Sequence, residues 1–424
     1  MVITILKGYF IFIIILMLVY AVRHAVFAYY RMYKPQRMYY GNIKDSELPT
    51  VSILVPMHNE EKVAEYILDA LLANEYPHDL MEIIPINDNS TDGTKELLEE
   101  YKSKHEIVKP LHRDCDIRGK VAALNDAIQI ATGEIILVFD ADYRPNKDVV
   151  RQLVLAFEDP EAGAVMGRVI PYNASKNWLT KLLNLERSGG YQADQQARYN
   201  LKTVPQYGGT VGGFRKHLIL SEGGFDEDIL AEDTALTYKL YTKGWKVVYA
   251  NSTECYEEVP ESWNARAKQI RRWSRGHNQV MFRYFFKVIF TKHMNRREKL
   301  DGLLLLIIYS VPFLFALGLI DSIVLFFLGE IGIMSGWWVI LFLGAYNSYG
   351  NFAPFYEIST AALIDGIKND VLLLPLLTFN YYFYLWNISL GYIDAVIDLI
   401  TRRRVHWVKT ERFAEKKGKK EVEQ

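Results

Sequence analysis

The chain is poor in cysteine: Cys115 and Cys255 are the two it has in 424 residues. A disulfide framework or a metal–thiolate cluster needs more sulfur at closer spacing, so both are excluded. Cys255 stands between Glu254 and Tyr256 with no histidine at ligand spacing, which leaves packing as its role and suits a reducing compartment. Net charge is equally scarce. A formal −1 at pH 7 lacks the basic excess of a general nucleic-acid binder, and no nucleic-acid partner is expected. The dense basic runs, 402–404 and 416–420, lie near the C-terminus, where they fit solvent or anionic lipid head groups. No small-x-small cleavage site follows the first apolar run, which argues against a removable signal peptide.

Apolar residues are plentiful instead, at 50%, with aromatics at 13% and charges at 23%, and they separate along the chain. Residues 8–22 are uninterruptedly apolar, and 25–30 extend the run past Arg23 and His24, enough to cross a bilayer of ~30 Å hydrocarbon. Arg31, Lys34 and Arg37 follow it and outnumber Lys7 before it, so the next segment is expected on the cytoplasmic side. Spans are also predicted over 303–328, 331–346 and 371–400. Residues 352–367 carry Pro354, Glu357 and Asp365 and read as a short crossing, a re-entrant piece or an interfacial helix. Four crossings after the globular part would keep the triple arginine inside. The expected domains are a membrane helix and basic linker (1–48), a globular catalytic domain (49–274), an interfacial amphipathic helix (275–300), a membrane region (301–400) and a basic tail (401–424). A second amphipathic stretch, 178–196, is also expected on the membrane surface.

Within 49–274, short apolar runs alternate with helical patterns, the signature of an α/β domain whose parallel sheet opens its ligand crevice at the strands' carboxyl ends. Residues 51–56 form one buried strand, followed by a helical pattern from His58, Asn59 and Glu60 through Ala73. A second strand, 82–86, runs into Asn87, Asp88 and Asn89, which is either a plain Asx-rich turn or a crevice loop. Lys120 opens a helix over 121–131. A cation there opposes the helix dipole unless an anion such as phosphate sits nearby; the other reading is an exposed lysine. A third strand, 134–139, ends at Asp140-Ala141-Asp142. Two carboxylates this close either cap a turn or hold Mg²⁺ or Mn²⁺, with substrate phosphates completing the shell.

Gly209, Thr210 and Arg215 belong to a glycine-rich stretch that allows close backbone approach but lacks Walker spacing. Glu232 and Asp233 begin a helix over 230–244. They either complement its dipole or supply a general base. Gln269, Arg272 and Trp273 share one helical face, as a diphosphate clamp with a flat stacking ring or as an interfacial belt.

The order Pro56–Glu60, Asp88, Lys120, Asp140-x-Asp142, Glu232-Asp233, Gln269-x-x-Arg272-Trp273, flanked by membrane segments, resembles the processive family 2 glycosyltransferases. That group includes synthases of cellulose, chitin, hyaluronan and poly-β-1,6-N-acetylglucosamine. The resemblance covers about 51–279 and implies a GT-A, Rossmann-like fold. It implies that Asp88, Lys120, Asp140 and Glu60 hold the nucleotide and Asp142 with Asp140 the metal. Asp233, preceded by Glu232, would be the base; Gln269, Arg272 and Trp273 would bind pyrophosphate and acceptor sugar over a loop of Gly209, Thr210 and Arg215. Trp407 and Thr410-Glu411-Arg412 resemble the cytosolic Trp-x-x-Thr-x-Arg element of two branches. His58, Ala231 and Asn87 depart from the usual Tyr, Thr and Asp without removing a catalytic carboxylate, and no cyclic-dinucleotide-binding domain is expected after Arg404. The implied partners are a UDP-sugar, membrane lipid, a polysaccharide or single-lipid acceptor, and an accessory export subunit, with the catalytic domain cytoplasmic at the plasma membrane.

Overall fold

The computed structural model describes residues 1–38, 47–115, 117–330, 354–402 and 413. It starts with the long helix α1 (Val2–Tyr33). The α/β domain then runs β1 (Val51–Met57), α2 (Ala64–Leu72), β2 (Met81–Asp88), α3 (Thr94–Lys104), β3 (Leu111–Arg113), α4 (Lys120–Ile130) and β4 (Ile135–Val138). Next come β5 (Arg144–Pro145), α5 (Val149–Leu155), β6 (Ala162–Pro171), α6 (Trp178–Ser188), a π-helical turn (Gly189–Gln195), α7 (Gln196–Leu201), β7 (Gly212–Arg215) and α8 (Lys216–Ser221). It closes with α9 (Glu232–Tyr241) and β8 (Lys246–Glu257). Beyond them lie α10 (Trp263–Phe290), α11 (Arg296–Ile307), α12 (Val311–Phe327), α13 (354–364) and α14 (Leu374–Thr401).

The eight strands make one sheet in the order β3-β2-β1-β4-β7-β6-β8-β5. Val51 of β1 lies opposite Met81 of β2 and Ile135 of β4, in parallel register, so these apolar runs are buried on both faces. Their carboxyl ends therefore open together, and the order switches beside them, where β7 joins β4 antiparallel. A ligand crevice is expected at that point. The helical pattern from His58 starts later than its sequence suggests. Asn59 takes a left-handed φ of 55°, its side-chain oxygen accepts from the Thr91 amide at 2.7 Å, and α2 begins only at Ala64.

The membrane expectations fare unevenly. α1 and 382–401 of α14 are long and apolar enough to cross a bilayer. The span expected over 303–328 is broken: α11 and α12 meet at 68°. Pro312 explains the break, because it has no amide to donate to the carbonyl four residues back. Residues 331–346 and the Trp407 and Thr410–Arg412 element lie outside the described residues. Among the described residues, α13 (354–364) adds no further helix long and apolar enough to cross. It lies along the protein instead: its Glu357 meets His24 at 2.5 Å, and Asp365, just past its end, meets Arg168 and Gln192 at 2.6 Å. The 178–196 stretch folds as α6, the π-helical turn and the first residue of α7. Leu182 and Leu185 of α6 are buried against Leu374 and Leu377, because α13 and α14 cover its apolar face. The boundary expected between 274 and 275 falls inside the continuous helix α10.

Candidate active site

A cavity of about 710 Å³ lies at the carboxyl ends of β1, β2 and β4, roofed by α9, α10 and the α11–α12 junction. Its donor side is built from strand ends. Asp88 closes β2 with both oxygens engaged: Oδ1 accepts from Arg113 Nη1 at 2.6 Å and Oδ2 from the Gly119 amide at 2.7 Å. Arg113 also donates to Asp126 at 2.7 Å and to the Ile117 carbonyl at 3.0 Å. Asp88 therefore fixes the turn that delivers Lys120, whatever else it contacts. Glu60 is buried at the cavity wall, its amide donating to Thr94 Oγ1 at 3.0 Å.

Lys120 opens α4 and reaches Asp140 Oδ1 at 2.9 Å, Glu232 Oε1 at 3.3 Å and the Gly209 carbonyl at 3.0 Å. The anions its position calls for are thus two carboxylates. Burial works against the ammonium, but Asp140 and then Glu232 outweigh it and hold its pKa well above the usual lysine range. The Asp140 amide donates to Thr210 Oγ1 at 3.0 Å, locking the end of β4 to the glycine-rich loop. Asp142 is buried and also lines the cavity.

Among the described residues no group of three or more His, Cys, Asp or Glu converges as a ready-made metal cage. Asp140 and Asp142 still fit a hard divalent cation, which takes one or two carboxylates when substrate phosphates and water fill the remaining positions.

Across the cavity, Ala231 caps α9 and places Glu232 and Asp233 in its first turn. Burial pushes both carboxyls above the ordinary range. For Asp233 the Thr234 amide, at 2.6 Å from Oδ1, and Lys120 pull partly back. For Glu232 Lys120 pulls back, while the charge of Asp233 adds to the rise. Gly209 makes this approach possible: its φ is +72°, and a Cβ there would crowd both carboxylates. A carboxylate so placed is suited to accept a proton near neutral pH.

Gln269, Arg272 and Trp273 line the same cavity from α10, as their helical spacing predicts. Two guanidinium groups lie over the Trp273 ring, Arg187 at 5.2 Å and Arg266 at 5.1 Å from its centroid, so the indole is less free a platform than its sequence suggests. Arg187 is itself paired with Glu257, which accepts from Tyr143 at 3.0 Å.

Arg215 is not brought to the cavity. β7 runs antiparallel to β4, so Arg215 lies opposite Ile135, at the far end of the strand from Asp140. It donates to the Ala162 carbonyl at 2.9 Å and the Phe157 carbonyl at 2.5 Å, stapling the start of β6.

Several lining residues escaped the sequence reading. His277 stacks on Tyr309 at 4.3 Å between centroids and lies 3.3 Å from Thr234 Oγ1. Burial lowers its pKa to about 4, so it is neutral near pH 7. Its position four residues past Trp273, on the same helical face, was the available signal. Gln206 donates to Thr234 at 2.6 Å. Asp194 and Arg198 form a wall pair at 2.7 Å, joined by Arg23 of α1 at 3.1 Å. A single residue could not announce such pairings.

The glycosyl transferase family 2 model matches residues 52–219. The chain is 31% identical over 393 residues to the probable glycosyltransferase YdaM of Bacillus subtilis, covering 88% of this chain and 89% of that protein. It is 30% identical over 374 residues to the beta-monoglucosyldiacylglycerol synthase of Trichormus variabilis, covering 88% and 78%. It is also 30% identical over 253 residues to the poly-beta-1,6-N-acetyl-D-glucosamine synthase of Staphylococcus aureus, covering 59% and 60%. Among solved structures, the mannosyltransferase PcManGT of Pyrobaculum calidifontis, in complex with GDP-Man and Mn²⁺, aligns with a TM-score of 0.56 at 20% identity over 95% of this chain and 100% of that one, a likeness of fold. The chain belongs to glycosyl transferase family 2, an enzyme of GT-A fold whose terminal helices are apolar and long enough to enter a membrane.

Proposed function

We propose that the protein transfers N-acetylglucosamine from UDP, with inversion, onto a growing polysaccharide at the cytoplasmic face of the plasma membrane. The observation that supports this most is one cavity holding Asp233 together with Lys120, Asp140 and Asp142 on one side and Gln269, Arg272 and Trp273 on the other. The acceptor hydroxyl gives its proton to Asp233 as its oxygen attacks the anomeric carbon. The bond from that carbon to the diphosphate oxygen breaks on the opposite side, and UDP leaves. Negative charge grows on the diphosphate, where Lys120 and Arg272 offset it. A divalent cation held by Asp142 and Asp140 would supply further neutralisation there. Glu232 keeps Lys120 aligned, and Asp88 and Glu60 shape the nucleotide end.

A second reading, transfer of one sugar to a lipid, is favoured by Leu305 and Ile308, which bring apolar side chains from the broken α11–α12 helix to the cavity. The glycolipid synthase likeness also extends over more of the chain than the polysaccharide synthase likeness. Membranes given labelled UDP-sugars separate the two. UDP release with a product of many sugars supports the polymer, and a single-sugar lipid product overturns it. Asp233→Asn should cut transfer by about 10²- to 10⁴-fold while UDP binding persists; full activity in that variant would remove Asp233 from its role.

A further inference from the structure

We infer that Arg266, on α10 one turn before Gln269, is a positioning residue that orients Gln269 and Trp273 and ties them to α14 through Tyr384. Arg266 is 4% exposed. Each of its three nitrogens is committed to a different element. Nη1 donates to Gln269 Oε1 at 2.7 Å, Nη2 to Glu186 Oε2 of α6 at 2.8 Å, and Nε to the Tyr384 hydroxyl of α14 at 2.9 Å. Its guanidinium carbon also lies over the Trp273 ring at 5.1 Å. Glu186 is held in turn by Asn380 of α14, 2.6 Å from its other oxygen.

The chemistry makes the orientation directional. A guanidinium can only donate, so the side of Gln269 facing Arg266 must be its oxygen. The Gln269 NH₂ is thereby kept for the cavity, where it can donate to a phosphate or sugar oxygen but cannot accept from one. Trp273 is fixed by the same group, because a planar cation over an indole restrains the ring's tilt. Lysine would keep the charge but not the three-way fork.

This rests on the reading of Gln269 and Trp273 as substrate-binding groups, and the test separates the two ideas. The full chain is purified with Arg266→Lys, Tyr384→Phe, both together, and Gln269→Ala and Trp273→Ala as references. UDP release is followed against UDP-sugar concentration, alongside thermal unfolding. Arg266→Lys should lower kcat about 10- to 100-fold with the donor KM changed less than about threefold, as expected of misaligned rather than missing groups. Tyr384→Phe, which removes one oxygen, should lower kcat in the same direction by a smaller factor. Combining the two should add little, because both act through one fork. Should Arg266→Lys fail to fold, Tyr384→Phe carries the test alone. Unchanged kcat in the folded Arg266 and Tyr384 variants, with Gln269→Ala or Trp273→Ala impaired, overturns the positioning role and leaves the substrate-binding reading standing. Full activity in both Gln269→Ala and Trp273→Ala removes that reading, and the proposal with it.

Discussion

Gly209 passes so close to Asp233 that a Cβ built on the glycine would stand 3.1 Å from the Cβ of the aspartate. Real side chains rarely tolerate that distance, and the φ of +72° adds about 1–2 kcal/mol of strain for any residue with a Cβ. Gly209→Ala is therefore expected to lower thermal stability modestly and to lower turnover about tenfold or more, by moving the carboxylate. Initial rates and unfolding curves on one preparation decide it; wild-type turnover would show that the loop does not set the position of Asp233.

The pH profile follows from the same carboxylates. Asp233 must be ionised to accept a proton, and burial raises its pKa, so activity is lost as pH falls through a point above the ordinary carboxylate range. Lys120 pulls both Asp233 and Glu232 down. Lys120→Met should consequently shift the acid limb of kcat/KM to still higher pH, besides weakening donor use. An acid limb that stays in place, or moves down, would break the proposed coupling.

His277 bears on stability rather than rate. Its folded pKa of about 4 lies below the ordinary 6.5, so between those values the unfolded chain holds a proton that the folded chain lacks. Stability then rises with pH across that window and is lost as pH falls, by at most about 3 kcal/mol. Melting temperatures measured from about pH 7 down to pH 5 should fall, and less steeply in His277→Gln. Equal slopes would place the titration elsewhere.

Chelation addresses the carboxylate pair. Treatment with EDTA is expected to abolish transfer, and Mg²⁺ or Mn²⁺ to restore it. Asp142→Asn should raise the metal concentration needed for half-maximal rate about tenfold. Undiminished activity in chelator would exclude the assignment of Asp140 and Asp142.

Much of the site was legible because its parts sit where apolar runs stop. Asp88 ends β2, and Asp140 and Asp142 follow β4, so reading the end of a buried run also located a crevice residue. The helical spacing of Gln269, Arg272 and Trp273 likewise carried straight into one cavity wall. Arg215 failed for a non-local reason, since only the antiparallel pairing of β7 with β4 carries it away from the crevice. The broken 303–328 span had a local sign in Pro312, which the apolar composition around it masked. Arg113, Arg187 and Arg266 were invisible because an arginine's partners decide its meaning. Here Asp88, Glu257 and Glu186 stand 25, 70 and 80 positions away along the chain.

α10 and α14 are stapled together at two successive turns, by Arg271 on Asp394 at 2.6 Å and Arg275 on Asp398 at 2.5 Å. At Gly391 the two helices touch so closely that a Cβ would lie 2.5 Å from the Arg271 carbonyl oxygen. α10 carries the cavity-lining Gln269, Arg272 and Trp273, and α14 is long and apolar enough to cross a bilayer, where tilt answers to hydrocarbon thickness. With the two helices joined in this way, a tilt imposed on α14 by hydrocarbon thickness would be passed to α10 and to the cavity wall it forms.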